Sequence, residues 1–208
     1  MDGTFVKVLG DERCIHIAFD TGIGAVDYWI DDTENKTAYA YILARLKAVG
    51  YEIICAVSDG DGSLLSLFDE EKIPHQRCIF HILKDLRAML TVHGELRGGN
   101  HILYSRLKRI LKSNTLEKLA ERIELFRIMT APLFETSKQL SAIRWFWRII
   151  ADAALHLSFD YHQVPRTSNL LENLNGQIKA RIKTFRGVKS EKSLHNLLKI
   201  LFRFRNYK

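Results

Sequence analysis

The sequence predicts an α/β protein with a mixed five-stranded sheet flanked by helices, into which an all-helical segment is inserted. Three observations support this fold class. The first 60 residues alternate short β-rich runs with turns, and one helical stretch interrupts them. The resulting order to about residue 80 is β-β-β-α-β-α-β, which combines antiparallel and parallel strands. From about residue 82 to residue 157 the apolar spacing is helical throughout.

The first three strands are predicted to form an antiparallel meander. TFVKVL alternates with a period of two, and CIHIAF and AVDYWI are short runs rich in β-branched and aromatic residues. Gly22 and Gly24 lie between the second and third runs, where the chain must turn. Such short links join neighbouring antiparallel strands.

The next elements alternate helices with strands. ENKTAYAYILARLKAVG predicts a helix that ends at Gly50, and its apolar stripe consists of Ala38, Ile42, Leu46 and Val49. EIICAV is apolar after Glu52 and is predicted to be a buried parallel strand. LLSLFDE is predicted to be a short helix, and QRCIF is the candidate for the fifth strand.

The remainder of the chain is predicted to be helical. Amphipathic or buried helices are indicated in HILYSRLKRIL, LEKLAERIELFRIM and SAIRWFWRIIADAALHL, and two more span about residues 168–185 and 190–206. We therefore expect three parts: a core of residues 1–81, an all-helical insertion of residues 82–162, and C-terminal core helices in residues 163–208.

Composition and charge narrow the classes of function. No apolar run reaches the roughly 20 residues that a membrane-spanning helix needs. Three scattered cysteines do not make a disulfide framework, so a reducing compartment is expected. Residues 166–208 hold 11 Lys and Arg against 2 Asp and Glu, whereas residues 1–165 hold 20 against 22. This asymmetry indicates a polyanionic partner, nucleic acid first, although a solvated basic helix pair would have the same composition.

Two aspartates stand at strand ends, where ligand and catalytic groups gather in α/β sheets. Asp2 opens the first strand, and Asp59 follows EIICAV in the turn SDGDG. Taken singly, Asp59 also fits a turn or a helix N-cap, and Asp2 fits a frayed terminus.

A third acid, Glu172, lies in the most basic part of the chain. On a helix over residues 168–185 one stripe is apolar: Leu171, Leu174, Ile178, Ile182 and Phe185. A second stripe combines a carboxylate, an amide, a small residue and cations: Asn169, Glu172, Gly176, Lys179 and Lys183. Because Gly176 stands four residues after Glu172, the usual i, i+4 ion pair is missing. The second stripe suits a site that binds a metal ion and a phosphate backbone together.

Three carboxylates on rigid elements are enough to hold divalent cations. Mg²⁺ prefers hard oxygen ligands and keeps several waters. Two such ions about 3.5–4 Å apart can clamp the attacking and leaving oxygens of a phosphodiester. Asp2, Asp59 and Glu172 are a sufficient set if they converge in the folded chain.

Four segments together resemble the catalytic domain of DDE transposases of the Mutator type, found in bacterial insertion sequences and in eukaryotic relatives. They are DGTFVKV, VSDGDGSL, RCIFHILKDL and RTSNLLENLNGQIKAR, and the resemblance covers nearly the whole chain. It implies an RNase H-like fold with the helical insertion before the glutamate helix. It also implies that Asp2, Asp59 and Glu172 bind Mg²⁺ or Mn²⁺, as two ions, for DNA strand cleavage and strand transfer. The family pattern favours Asp59 over Asp61 as the second ligand.

The resemblance gives Cys78 and His81 a supporting role, with His81 near the carboxylates to contact the scissile strand or orient the site. The two residues form one Cys-x-x-His pair, which is half of a structural zinc site, and no second pair lies nearby in the sequence. Trp145 or Trp147 is a candidate for stacking on a displaced base, although core packing is the default for both.

The DNA-contacting residues are predicted in the basic C-terminal part. They would neutralise backbone phosphates and read no sequence, and they are Arg166, Asn169, Lys179, Arg181, Lys183, Arg186 and Lys189. The expected partners are transposon ends, target DNA and further copies of the chain assembled on DNA. No membrane is expected, and the location in a bacterium would be cytoplasmic and nucleoid-associated.

The first acid is residue 2, whereas such transposases normally carry a helical DNA-recognition domain before it. We therefore expect a truncated copy. The alternative to an active catalytic domain is a non-catalytic DNA-binding remnant, and a structure-selective nuclease on the same fold is a third interpretation.

Overall fold

The computed structural model describes residues 1–130, 133–184 and 188–205. Its strands are Asp2–Val8 (β1), Asp11–Asp20 (β2), Gly24–Asp31 (β3), Ala56–Ser58 (β4) and His75–Arg77 (β5). Its α-helices are Lys36–Ala48 (α1), Gly62–Glu70 (α2), Ile79–Leu90 (α3), Gly98–Leu111 (α4), Leu116–Leu125 (α5), Ser137–Ala153 (α6), Asn169–Thr184 (α7) and Glu191–Arg205 (α8). One π-helical turn, Phe126–Thr130, follows α5, and the 3₁₀ turns Leu155–Leu157 and Phe159–Tyr161 follow α6. The predicted α/β class and the order β-β-β-α-β-α-β are confirmed.

The chain divides into two compact units. The first unit combines Met1–Pro74 with Ser168–Lys208, so it is built from both ends of the chain. The second unit is the continuous segment His75–Thr167. The predicted boundaries after residues 81 and 162, which separate the core from a helical insertion, stay a prediction.

The first three strands form the predicted antiparallel meander, in the order β1-β2-β3. Strands β1 and β2 pair from Asp2 opposite Ile17 to Val8 opposite Asp11. The link between them places Leu9 at a φ of 54° and Gly10 at 99°. Two successive positive φ angles are what a two-residue type I′ hairpin requires, so this turn fixes the register of β1 against β2.

The prediction of one five-stranded sheet is wrong. The three antiparallel strands form one sheet, and β4 and β5 form a separate two-stranded parallel sheet. The run EIICAV contributes only Ala56 and Val57 to β4, and Ile54 within it is 66% exposed, so the run is not buried throughout. Likewise QRCIF provides only the end of β5, because Cys78 is already the N-cap residue of α3. A short apolar run does not by itself distinguish a buried strand from irregular chain.

The main core of the first unit lies between the meander and the two C-terminal helices. Alternate residues of β1 and β2 meet the apolar stripe of α7 and α8, and these buried residues include Val6, Val8, Ile15, Ile17, Leu171, Leu174, Ile178, Ile182, Leu194 and Leu198. The stripe predicted for α7 is therefore confirmed up to Ile182, and Phe185 lies outside the described residues. This packing holds β1 against α7.

A second cluster in the first unit packs α1 against α2. The Asn35 side chain caps α1 by accepting a hydrogen bond from the Ala38 N–H at 2.8 Å. Tyr39 and Leu43 of α1 pack with residues of α2, including Phe68. Val49, which the sequence places on the apolar stripe, is instead the C-cap residue and is 80% exposed.

The second unit has its own helical core, formed mainly by α3, α4 and α6. The capping box of Thr136 and Gln139 begins α6. Trp145 and Trp147 are partly buried against this core, so the packing role expected for both is confirmed. No helix in the described ranges is both long and apolar enough to cross a bilayer.

Candidate active site

Asp2 lies at the first position of β1 and is partly buried. Its Oδ2 accepts a hydrogen bond of 2.8 Å from Nδ2 of Asn175, which projects from α7. Because Val6 and Val8 further along β1 pack on the apolar stripe of α7, both elements are fixed where this bond forms. The first acid is therefore held by a side chain from the far end of the sequence.

Asp59 lies in the turn that follows β4. Its Oδ1 accepts a hydrogen bond from the Asp61 N–H at 3.0 Å, and Gly60 between them has a φ of 93°, which favours glycine. The Met1 ammonium donates to the carbonyl of Val57, two residues before Asp59, at 3.0 Å. This contact brings the end of β4 to the beginning of β1.

Burial and the neighbouring Asp59 carboxylate raise the pKa of Asp2 to about 6. The Glu34 carboxylate acts in the same direction, while the Met1 ammonium and the Gly3 N–H lower this pKa. Burial in turn lowers the pKa of the Met1 ammonium. Ionising two neighbouring, partly buried carboxyl groups together costs free energy, and a bound cation would lower that cost.

Glu172 lies in the first turn of α7 and is partly buried. Its Oε1 accepts a hydrogen bond of 2.7 Å from the Ser168 hydroxyl. The positive end of the helix dipole favours an acid at this position. Glu172 stands three residues before Asn175, so the two side chains leave the helix on neighbouring sides.

The three predicted acids all lie in the first unit. Among the described residues, Asp2, Asp59 and Glu172 do not form a group whose carboxylate oxygens all lie within 4.8 Å of one another. Electrostatic coupling connects Asp2 with Asp59, and the bond to Asn175 connects Asp2 with the helix of Glu172. These contacts bring the elements of the three acids together.

Sequence reasoning missed two residues beside Asp2. Asn175 interrupts the apolar stripe of α7, and a polar residue at a buried helical position is the signal that could have found it. Glu34 has no such signal; its Oε1 accepts a hydrogen bond of 2.5 Å from the Tyr39 hydroxyl. A Cβ on Gly3 would lie 2.7 Å from the Glu34 carboxyl carbon, so the glycine leaves room for this acid.

The donor chemistry of these residues fits a hard divalent cation. Asp2, Asp59 and Glu172 offer carboxylate oxygens, which Mg²⁺ and Mn²⁺ prefer to nitrogen or sulfur ligands. They project from a strand, a strand end and a helix, which are rigid supports for ligands.

A protein-family model matches the chain along its full length, as "Transposase, Mutator family" over residues 1–208. The chain belongs to the Mutator family of transposases. It is also similar to the transposase for insertion sequence element IS905 of Lactococcus lactis subsp. lactis, with 25% identity over 226 aligned positions. The alignment covers 100% of this chain and 54% of the relative, so the chain spans about half the length of that curated relative. No solved structure matches it.

Membership of the Mutator family confirms the resemblance that the four sequence segments indicate. In this transposase chain Cys78 and His81 belong to the second unit. Cys78 is buried at the N-cap of α3, and His81 is partly buried in the first turn of that helix. Their supporting role stays a prediction.

The basic residues predicted to contact DNA lie mostly on exposed positions of the transposase. Asn169, Lys179, Arg181 and Lys183 are exposed along α7, and Lys189 is exposed before α8. Arg166 belongs to the second unit and donates to the Ser113 carbonyl at 2.8 Å. Arg186 lies outside the described residues. Lys179 and Lys183 are exposed on the same stripe of α7 as Glu172, whereas Arg181 is exposed on another side of the helix.

Proposed function

We propose that this chain is the catalytic domain of a DDE transposase that cleaves DNA at the ends of an insertion sequence and transfers the freed strands to target DNA. The hydrogen bond between Asn175 and Asp2 is the observation that carries the proposal. It ties the helix of Glu172 to the strand of Asp2, although 173 positions separate the two bonded residues.

In this proposal Asp2, Asp59 and Glu172 hold Mg²⁺ or Mn²⁺, which supplies positive charge to the phosphodiester when it is bound. Asp2 and Asp59 are supported as a pair because the Asp59 carboxylate contributes to the raised pKa of Asp2. Glu172 is supported by its place one turn before Asn175 on α7. The meander, α1 and α7 would be the centre of an RNase H-like core, and the helices of residues 82–162 would be an insertion into it.

DNA is the proposed partner, and the exposed cations of α7 are its proposed contact. Lys179 and Lys183 lie on the same stripe as Glu172, at steps of seven and four residues. A phosphate backbone that follows this stripe would pass the acids. The chain would act on DNA as an assembly of at least two copies.

The experiment that tests the proposal compares Glu172→Gln with Glu191→Gln, its control at the exposed first turn of α8. Nicking of supercoiled plasmid in Mn²⁺ and DNA binding on filters are measured for both variants. We expect Glu172→Gln to lose nicking and keep DNA binding, because the substitution removes one metal ligand and preserves the shape of the side chain. Nicking that survives in Glu172→Gln would refute the assignment of this acid. Binding without nicking by the unmodified chain would instead favour the non-catalytic remnant.

A further inference from the structure

The buried amide of Asn175 is only partly hydrogen-bonded. The residue is 7% exposed, and its Nδ2 donates to Asp2. Its Oδ1 is buried and has no hydrogen-bond partner within the described residues. A buried carbonyl oxygen without a partner costs free energy, so native proteins retain one mainly where water, an ion or a ligand completes it.

The orientation of this amide follows from its neighbour. A carboxylate only accepts hydrogen bonds, so the NH₂ group of Asn175 must face Asp2. Oδ1 is bonded to the same carbon as Nδ2, so a single amide group separates it from the Asp2 carboxylate. The unpartnered oxygen is therefore close to the acid that would hold the ion.

We propose that Asn175 is a further residue of the metal site, in which Nδ2 positions the Asp2 carboxylate and Oδ1 is an additional oxygen ligand for the divalent ion. This inference rests on the proposed function, because the ion is the one that Asp2 would hold. It assigns a role to a residue outside the three acids.

A carboxamide suits this position better than a fourth acid would. Its carbonyl oxygen is a hard ligand that adds no negative charge beside Asp2, whose pKa the Asp59 and Glu34 carboxylates already raise. Its NH₂ group leaves the other oxygen of Asp2 for the ion. Leu174 and Ile178, on either side of it along α7, are buried in the core and hold the helix in place.

The rival explanation is a structural amide that only connects α7 with β1. A structural amide would change stability when it is replaced and would leave metal affinity unchanged. Metal affinity is therefore the readout that separates the two explanations, and it does not depend on cleavage activity.

The first test measures Mn²⁺ affinity of the full chain by calorimetry for the unmodified protein, Asn175→Leu and Asn173→Leu. Asn173 is the matched control, because it is exposed on the same helix and its Oδ1 accepts a hydrogen bond from Nε2 of Gln177, away from Asp2. We expect Asn175→Leu to weaken Mn²⁺ binding about tenfold or more, which is the usual effect of losing an oriented ligand or its support, and Asn173→Leu to change it less than about twofold. Affinity within about twofold of the unmodified chain for Asn175→Leu overturns the inference.

A second variant decides the question if Asn175→Leu does not fold. Asn175→Asp keeps an oxygen ligand but places another negative charge beside Asp2. We expect a lower Tm without metal and a larger rise in Tm on adding Mn²⁺ than in the unmodified chain. An equal rise in Tm would contradict the inference.

Failure of this inference can be told apart from failure of the proposed function. If Glu172→Gln reduces Mn²⁺ affinity and Asn175→Leu does not, the acids hold the ion and Asn175 has only a structural role. If neither substitution changes Mn²⁺ affinity, the metal site itself is elsewhere.

Discussion

Oδ1 of Asp61 accepts a hydrogen bond from the backbone N–H of Ser63 at 2.8 Å, so Asp61 is the N-cap of α2. Asp59, two residues earlier, instead raises the pKa of the partly buried Asp2 carboxyl group. The two acids of the SDGDG turn therefore have different partners. The family pattern favours Asp59 over Asp61 as the second ligand, and that assignment stays a prediction.

Replacing these two acids should have opposite effects on stability and activity. Asp61→Ala removes a helix cap and should lower the free energy of unfolding by about 1 kcal/mol while folded protein keeps nicking DNA. Asp59→Asn should lose nicking without loss of stability, because it removes a charge that repels Asp2. Urea denaturation and plasmid nicking in Mn²⁺ check both. A fully folded Asp61→Ala variant without nicking would reverse the assignment.

Gly176→Ala should stabilise the free protein. A Cβ at this exposed position of α7 would meet no heavy atom within 4 Å, so nothing in the described structure requires glycine there. Alanine loses less backbone entropy in a helix, and we expect a gain of about 0.5–1 kcal/mol in urea denaturation. Ala180→Gly, at another exposed position of the helix, is the control and should lower stability by a similar amount. A lower stability of Gly176→Ala would show a steric constraint.

Stability of the second unit should fall in mild acid because of His156. Burial and the Arg166 guanidinium lower the pKa of His156 to about 4. The unfolded chain takes up this proton near pH 6.5, so the stabilising effect of neutral His156 is complete above pH 6.5 and is lost as pH falls towards 4. The loss from pH 7.5 to pH 5 is at most about 2 kcal/mol. His156→Asn keeps a donor near Nδ1 and cannot titrate, so its urea denaturation should depend less on pH. An unchanged pH dependence would contradict this.

Gln76 should be among the most sensitive positions of the second unit. It is fully buried, and its Nε2 donates to the carbonyls of Ala153 at 3.0 Å and Arg77 at 2.7 Å. Its Oε1 accepts from the backbone N–H of His156 at 2.9 Å. Gln76→Leu leaves these buried groups unpaired and should cost about 2–4 kcal/mol in urea denaturation. The exposed Gln177→Ala is the control, with a change within about 0.5 kcal/mol. A comparably small change in Gln76→Leu would contradict the prediction.

The cations of α7 should govern the salt dependence of DNA binding. Lys179→Gln with Lys183→Gln removes two exposed charges, and the slope of log affinity against log salt should become shallower by roughly 1 to 2. Filter binding at several salt concentrations measures this slope. Lys72→Gln, in the part of the chain without net positive charge, should leave it unchanged. An unaltered slope in the double variant would place the DNA elsewhere.

The sequence predicts elements with strong local signals better than it predicts their pairing. The period-two run of β1, the β-rich runs of β2 and β3 and the apolar stripes of α1 and α7 are strong local signals, and the predicted element types are correct. The prediction of a buried strand over EIICAV was wrong because a run of apolar residues has no period that shows which side is buried. Ile54 in this run is exposed to solvent. Whether β4 joins the sheet of β1 depends on contacts between distant segments, which local patterns do not contain.

The candidate site shows the same limit. Asp2, Asp59 and Glu172 could be proposed from the sequence because their residue types and surroundings match a known chemistry. Asn175 was missed because its partner lies 173 positions away, and a single amide in a helix gives no indication of such a partner. Glu34 was missed because its place near Asp2 depends on the space left by Gly3, which no local sequence pattern shows.

The core of the first unit joins residues from the two ends of the chain, and this has a consequence during translation. Ile15 and Ile17 leave the ribosome long before Leu174, Ile178 and Leu198 of the helices that cover them. A nascent meander therefore presents a bare apolar face until α7 and α8 have been synthesised, which makes it a substrate for chaperones and a starting point for aggregation. Ribosome-bound chains that stop before α7 should be more sensitive to protease within the first 74 residues than released full-length protein.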